Sequence, residues 1–447
     1  MVSTASPVSG AAGGSVGRPV RRRWLDQATS PGRLRRLLIG LLLLSLAWGV
    51  LAAFTAGQYA SAAASVVSTR EPLSLDAQQI YSRLSDANDT AATAFLTGGL
   101  EPAASRQRYL ADLAAASAAI QQATARVGAG GGAASQDLGV LSGQLTVYSG
   151  EIETARADNR LGLPLGAAYL REASALMRGP LLLSAKDLYT RETASLDGTS
   201  AKATGLPLIA VTGVAGLIVC YLLLRASRWL WRRTNRVFNV GLIGAGVAVI
   251  VSLAWLGGAY LSARGDLQGA RARGSATVEA AAQVGIAAQE AHTDESLTLI
   301  DNTGLDQYQQ DYVTEQHLLG PGTGTLLTAA LAAAKGSPAA SAVTAAATDA
   351  RAWYTAHAQV RTLDDGGNHA GAVASVLGTR PGDAGAAFTR LSQDLAQAIA
   401  ADQAVFDSAA PSASSAYTAV EPGVIVLALI MAGACAWGLT RRIAEYR

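Results

Sequence analysis

The chain has 447 residues, 50% of them hydrophobic and only 15% charged, with mean hydropathy +0.24 and a formal net charge of +2. Soluble proteins carry about 25% charged residues, so this composition excludes an ordinary soluble globular protein. No nucleic-acid partner is expected; a lipid bilayer is.

The chain opens with a basic tail, residues 1–36, in which Arg18, Arg21, Arg22, Arg23, Arg33, Arg35 and Arg36 face a single acid, Asp26. Uncharged apolar stretches follow at 37–57, 206–224, 237–261 and 422–440. Each approaches the roughly 20 residues that cross a bilayer. Backbone groups in lipid must be satisfied internally, so each stretch is predicted to be a helix. A basic connection, 225–236, separates the second and third stretches and holds Arg225, Arg228, Arg232, Arg233 and Arg236 with no acid. A short tail, 441–447, carries Arg441, Arg442 and Arg447. The positive-inside rule places these three short pieces in the cytoplasm and the two large segments, 58–205 and 262–421, outside. The small residues Ala60-Ser61-Ala62 resemble a signal-cleavage site. The apolar run before them is longer than a signal core of ~7–15 residues, and an uncleaved anchor is expected.

In the first large segment the apolar spacing is helical. Ile80, Leu84, Ala87, Ala91 and Phe95 form one stripe, and Leu138, Leu141, Leu145, Tyr148, Ile152 and Ala155 form a heptad seam. Leu110, Leu113, Ile120 and Val127 give a thinner stripe. A fourth helix is predicted from about Gly166 through Leu170, Ala173, Leu176, Leu182 and Leu188, kinked at Gly179-Pro180 because proline removes a hydrogen bond and clashes with the preceding turn. Breakers fall at Gly98-Gly99 with Pro102, in the Gly128–Gly132 run, and at Gly162 with Pro164. The expected fold is all-α: a four-helix bundle of up-down-up-down type between spans.

The second large segment reads the same way, with looser loops at Gly320–Gly324, Lys335–Pro338 and Asp364–Gly367. It is the more acidic, with 8 Lys+Arg against 17 Asp+Glu over 262–421, compared with 12 against 14 over 58–205. Weak matches recur in the same order in both segments: Thr97–Glu101 with Asn302–Asp306, Tyr109/Asp112 with Tyr308/Asp311, and Tyr148/Asp158 with Tyr354/Asp364. Their order predicts an internal duplication whose unit is span–bundle–span.

No phosphate-cradling glycine loop, His-Glu-x-x-His, Gly-x-Ser-x-Gly or Cys-x-x-Cys occurs. The cytoplasmic pieces of 36, 12 and 7 residues fall short of the ~50 a domain needs. No enzymatic activity, cofactor or metal is expected. Cys220 and Cys435 both lie in spans, so the outer segments carry no disulfide. The four histidines, His292, His317, His357 and His369, all fall in the acidic segment. His292 and Glu295 have the i, i+3 spacing that could begin a metal site, but scattered solvated histidines are the simpler reading. The spans offer small residues at packing spacing, Thr212/Gly216 and Gly244/Ala248, as in a close-packed and dimer-forming transmembrane core. The inner run Arg225, Arg228, Trp229, Trp231, Arg232 and Arg233 suits an interfacial anchor on anionic lipid, and is also the compact surface a cytoplasmic partner would read.

The run Ala155–Ser174, with Ser85-Asp86-Ala87-Asn88-Asp89-Thr90-Ala91 upstream, resembles the four-helix sensor bundles of bacterial chemoreceptors and histidine kinases. The likeness covers mainly 70–200 and departs from those families in lacking a signalling domain after the second span. The whole-chain arrangement resembles actinobacterial four-pass membrane proteins of the GlnX type, on architecture and length rather than a diagnostic motif. That resemblance implies a non-enzymatic signal transducer of the bacterial plasma membrane. It would relay the state of an external amino-acid-binding lipoprotein to a soluble serine/threonine kinase. Asp86, Asp89, Arg171 and Arg178 are the candidate ligand- or partner-binding residues, and Gly179 and Pro180 the candidate hinge. The alternatives are a direct small-molecule chemosensor with its ligand between bundle helices, and a structural cell-envelope protein.

Overall fold

A computed structural model of the chain describes residues 30–128, 132–234, 239–270, 276–301, 307–320, 322–415 and 419–444. Most of the basic tail, the centre of the Gly128–Gly132 run, Pro321, Arg236 and the Asn302–Asp306 half of one repeat match lie outside the described residues, as do the last three residues of the C-terminal tail. The described residues are helical throughout, without a strand. In chain order the helices are α1 (Ser30–Ser65), α2 (Glu71–Leu96), α3 (Ala103–Val127), α4 (Ala133–Arg160), α5 (Leu165–Leu176), α6 (Leu182–Thr204), α7 (Pro207–Thr234) and α8 (Val240–Ala270). They continue with α9 (Ala276–Ile300), α10 (Gln307–Leu319), α11 (Leu326–Ala333), α12 (Ala340–Asp365), α13 (His369–Val376), α14 (Ala384–Ser415) and α15 (Val420–Ala444). Short π-helical turns, Val66–Arg70 and Met177–Leu181, join α1 to α2 and α5 to α6.

Two compact units result. The first takes residues up to Thr55, Pro207–Leu256 and Glu421–Arg447. It draws on the four helices long and apolar enough to cross a membrane: α1, α7, α8 and α15. Small residues let these helices approach closely. A Cβ on Gly216 would stand 2.7 Å from Leu253 and 2.9 Å from Trp48, and one on Gly423 would collide with the Trp255 ring. Polar side chains pair inside this packing: Trp48 Nε1 donates to Ser252 Oγ at 3.1 Å, and the Thr55 and Thr212 hydroxyls lie 2.7 Å apart. Thr212 and Gly216, one of the small pairs singled out above, are thus engaged within the chain. α7 runs on to Thr234, so Arg225–Arg233 ride a helix rather than a loop.

The second unit takes Ala56–Leu206 and Gly257–Val420. In its first bundle α2 packs on α3 and α6, and α4 on α5 and α6. The stripes of α2 and α4 supply much of the core, with Ile80, Leu84, Leu141, Tyr148 and Ile152 almost wholly enclosed. In α3 the inward face is Tyr109, Ala116, Ile120 and Ala123, while Leu110 of the predicted stripe points outward. The second bundle packs α9 on α10, α11 and α14, and α12 on α14 and α13 around Trp353.

The bundles are joined through α2 and α9. Asp86 faces Gln289, Asp89 faces His292, and Thr93 faces Ser296, each pair 203 residues apart. A constant separation means the two helices run parallel and in register, and steps of three and four select one face of each. Ile286 and Leu297 of α9 join the core of the first bundle, while Leu96 packs on the core of the second. The Thr93 and Ser296 hydroxyls are 3.4 Å apart across this seam. A Thr93→Cys/Ser296→Cys chain with Cys220 and Cys435 replaced by alanine is therefore expected to cross-link within one molecule on mild oxidation. The check is a mobility shift without dimer on a non-reducing gel; cross-linking only between chains would contradict the seam.

Candidate functional site

The kink begins as backbone chemistry. Pro180 has no N–H to donate, and Gly179 leaves the helical region at φ −77°, ψ −106°. The ladder is re-satisfied by a single π-helical turn, Met177–Leu181. Arg178 sits in that turn and reaches the second bundle, with Nη1 2.6 Å from Asp294 Oδ1 and 3.6 Å from Asp311 Oδ2. Tyr308 lies beneath its guanidinium at 5.3 Å. Two turns earlier Arg171 donates to Asp301 at 2.7 Å.

Further into the seam lies a buried polar chain. Asp89 Oδ1 is 2.6 Å from His292 Nδ1, and His292 Nε2 is 3.8 Å from Glu295 Oε2. Glu295 accepts from Trp353 Nε1 at 3.1 Å and pairs with His357 Nδ1 at 2.8 Å. The Phe388 ring stacks on His292 at 3.8 Å and the Tyr312 ring on His357 at 3.5 Å. The reading of all four histidines as solvated is thus corrected for two of them: His292 and His357 are core residues. Their burial was hidden because each stands among polar neighbours in the sequence, His292 beside Asp294 and Glu295 on α9 and His357 near Gln359 and Arg361 on α12. Burial opposes charge on His292, but the Asp89 carboxylate beside it outweighs that and raises its pKa.

The candidate residues Asp86, Asp89, Arg171 and Arg178 all lie on the seam, but they do not converge on one pocket. Asp86 accepts a hydrogen bond from Gln289 and has Arg83 at 3.6 Å and Arg108 at 3.9 Å. It lines a cavity of about 640 Å³ between α2, α9 and α14. Burial, then the neighbouring Asp112 carboxylate, push its pKa up to about 7. Arg178 lines a second cavity of about 300 Å³ between the kink, α6, α9 and α10. The acidic partners of Arg171 and Arg178 that sequence reasoning did not find are Asp294, Asp301 and Asp311, with Glu290 and Glu315 beside them in the cavity wall. Their only signal was the acidity of the second large segment. Arg225, Arg228, Trp231 and Arg232 are exposed along α7 and Trp229 is half-buried there, while the side chain of Arg233 lies outside the described residues. Among the described residues no group of three or more His, Cys, Asp or Glu side chains is placed to hold a metal ion.

Residues 62–201 match the model of a protein family described as an actinobacterial sensor domain. The match begins near the end of α1 and runs through the kink into α6, so it covers the first-bundle side of the seam. It supports a signal-sensing role. Comparison with curated proteins and with solved structures gives no match.

The raised His292 fixes a sign. Below the unfolded value near 6.5 the histidine is protonated in both states and the pair contributes in full; that contribution is lost as pH rises through the higher folded value. Asp89→Ala is expected to cost about 3 kcal/mol by leaving a buried partner unpaired, and to flatten the decline in stability above pH 6.5. Thermal unfolding of the full chain in lipid nanodiscs at pH 6 and pH 8 measures both. Equal pH slopes in the two proteins would contradict the pairing.

Proposed function

We propose that the chain is a non-enzymatic transmembrane signal transducer that carries the state of an external amino-acid-binding lipoprotein to a soluble cytoplasmic serine/threonine kinase. The observation that carries this reading is the path of one helix. Its kink holds Arg178 against the second bundle, and α6 then runs to Thr204, three residues before α7 begins at Pro207. The end of α6 is gripped by two tyrosines, as Tyr260 donates to Thr204 O at 2.8 Å and Tyr59 to Gly205 O at 2.7 Å. On this proposal a shift at the kink is carried along α6 to Gly205, two residues before the helix that carries Arg225, Arg228, Trp229, Trp231, Arg232 and Arg233. The sensor-domain match over this same stretch supports the reading, as does the arginine placement that puts both bundles outside the cell and both termini inside.

On this proposal the two bundles are copies of one span–bundle–span unit, and the parallel α2–α9 pairing is the contact between equivalent first helices. The external partner has an apolar surface available. Leu100 is 78% exposed and Leu161 73%, with Leu163 and Leu165 also outward, and Asn159 ties their two loops together by donating to Phe95 O at 3.1 Å. Exposed leucines on these two tied loops are the surface this proposal assigns to the partner. One observation favours the chemosensor reading instead: the 640 Å³ cavity has the size of a small-molecule site and carries Arg83, Asp86 and Arg108 at one end.

Affinity recovery of the intact chain from membranes separates the readings. Co-recovery of a solute-binding lipoprotein and a soluble kinase is expected. Leu100→Ser/Leu161→Ser should reduce lipoprotein recovery at least tenfold, about 1.4 kcal/mol of binding. Replacing the six arginines and tryptophans of α7 by alanine should remove the kinase and leave the chain inserted. Recovery of neither partner, with an amino acid stabilising the purified chain directly, would favour the chemosensor.

A further inference from the structure

We propose that the junction of the α5–α6 kink with α9 and α10 is a proton-operated latch: proton uptake by its carboxyl groups holds the two bundles together, and proton loss releases them. The inference rests on the signal-transducer reading and names a cue that the seam itself takes, the external proton.

The geometry comes first. The cavity of about 300 Å³ receives charged groups from every element packed around it. Glu290 and Asp294 come from α9, Asp311 and Glu315 from α10, Arg178 from the kink, Lys186 from α6, and α2 contributes Tyr81. Four carboxyl groups thus meet two cations. Arg178 serves Asp294 and Asp311. Glu290 accepts from the Tyr81 hydroxyl at 3.4 Å. Among the described residues neither Glu290 nor Glu315 has a cation within ion-pairing distance, and the Lys186 ammonium pairs with neither. Asp294 is almost wholly enclosed, its side chain 3% exposed, and the buried Arg178 Nη2 has no hydrogen-bond partner. Removing carboxylates from water costs free energy unless each is matched, and like charges sharing a site favour the protonated form.

That cost is greatest when all four groups are ionised and falls with each proton taken up. Burial is the leading cause of upward displacement at three of them: Asp294 and Glu315 are each pushed up to about 7, and Glu290 is raised. The sign is opposite to that of an ordinary salt-bridged acid. Between an unfolded value near 4 and a folded value near 7, the closed seam binds more protons than the open chain. Its extra stability is therefore complete at the acid end of that window and lost as pH rises through about 7. The His292–Asp89 pair on the same helix has the same sense, since it too is strongest when protonated.

What makes this a latch rather than a strained core is its position. Arg178 adjoins Gly179, where the backbone is already out of helical geometry. Loss of the grip on α9 and α10 therefore frees a segment that can bend without breaking further helix hydrogen bonds. Lys186 lies two turns beyond the kink on the helix that leads to Thr204, so opening the cavity moves the start of α6.

The test uses the full chain in nanodiscs with Cys220 and Cys435 changed to alanine and spin labels at Thr190→Cys on α6 and Leu318→Cys on α10. Distances are read by double electron–electron resonance from pH 5.5 to 8.5. A narrow, short distribution at pH 5.5 should give way to a longer one, with a midpoint near 7. Glu290→Gln fixes in place the neutral state that a proton gives and should raise the midpoint by about one pH unit, tenfold in proton concentration. Lys186→Met removes a cation that stabilises the ionised acids in the closed seam and should lower it. Glu290→Gln/Glu315→Gln, which leaves the Arg178–Asp294 pair in place, should stay closed throughout. If that double variant does not fold, the opposite midpoint shifts of the two single variants still decide the matter. An unchanged distance across the whole range, or midpoints that ignore both single substitutions, overturns the latch. Opening with pH while kinase recovery stays constant leaves the latch standing and counts against the relay.

Discussion

The α2–α9 contact governs the rest of the structure because it is an ordered polar surface with almost no access to water. Two helices that meet in register at one face must match each polar group at a fixed spacing, and here the matches recur at 86/289, 89/292 and 93/296. Slipping one helix by a single residue would turn Asp89 away from His292 and leave both buried and alone. The seam thus fixes register together with Ile286 and Leu297, the α9 side chains that enter the core of the first bundle. Buried ionic pairs contribute little net stability when compared with apolar replacements, and registry is their best-attested use.

The same polar groups hold the second bundle together. Glu295 is in the first layer of the seam through His292, yet its stronger partners are His357 and Trp353 of α12. A change in charge at Asp89 is therefore felt two helices away, through groups stacked on Phe388 and Tyr312. Chains of this kind respond together because the low local dielectric penalises any member left unsatisfied. On the opposite side of α9 the acids that line the smaller cavity answer to the kink instead. One helix consequently reports to two structures, the core of its own bundle and the hinge of its neighbour.

Much of the architecture was legible in the chain itself. The spans are gaps in charge, a property of composition that needs no partner to be read. The α2 and α4 stripes are local periodicity, and the kink follows from one proline after one glycine. What escaped was long-range or ambiguous in period. Asp86, Asp89, Arg171 and Arg178 stood out as charged groups beside apolar stripes, but their partners lie 130 or 203 residues away for Arg171 and for the two aspartates. Local patterning carries no information about such pairs. In α3 the stripe holds at Leu113, Ile120 and Val127 and fails at Leu110, which stays outside while Tyr109 fills the inner face. In α9 the acids and the histidine cluster at Glu290–Glu295, a pattern that reads as a solvated face, and only packing by both bundles encloses them.

The two cavities beside the seam connect these points to function. If the bundles are copies, α2 corresponds to α9, α3 to α10, and α6 to α14. The larger cavity, bounded by α2, α3, α9 and α14, then maps onto the smaller one, bounded by α9, α10, α2 and the kink with α6. The two positions have diverged in a physically directed way. At the smaller, the last helix is broken and throws a guanidinium across to the acids of α9 and α10. At the larger, the last helix is continuous through the cavity wall and presents Ser392, Gln393 and Gln403, while the cations, Arg83 and Arg108, stand on the α2–α3 side. An ionic bridge that must be made at one edge has no counterpart at the other, so charge changes act on the two edges unequally. A symmetric pair of bundles loaded equally on both edges would tend to loosen evenly. Unequal loading directs charge changes at the kink edge onto α6, the helix that precedes Pro207 and α7, and leaves α14 outside their reach.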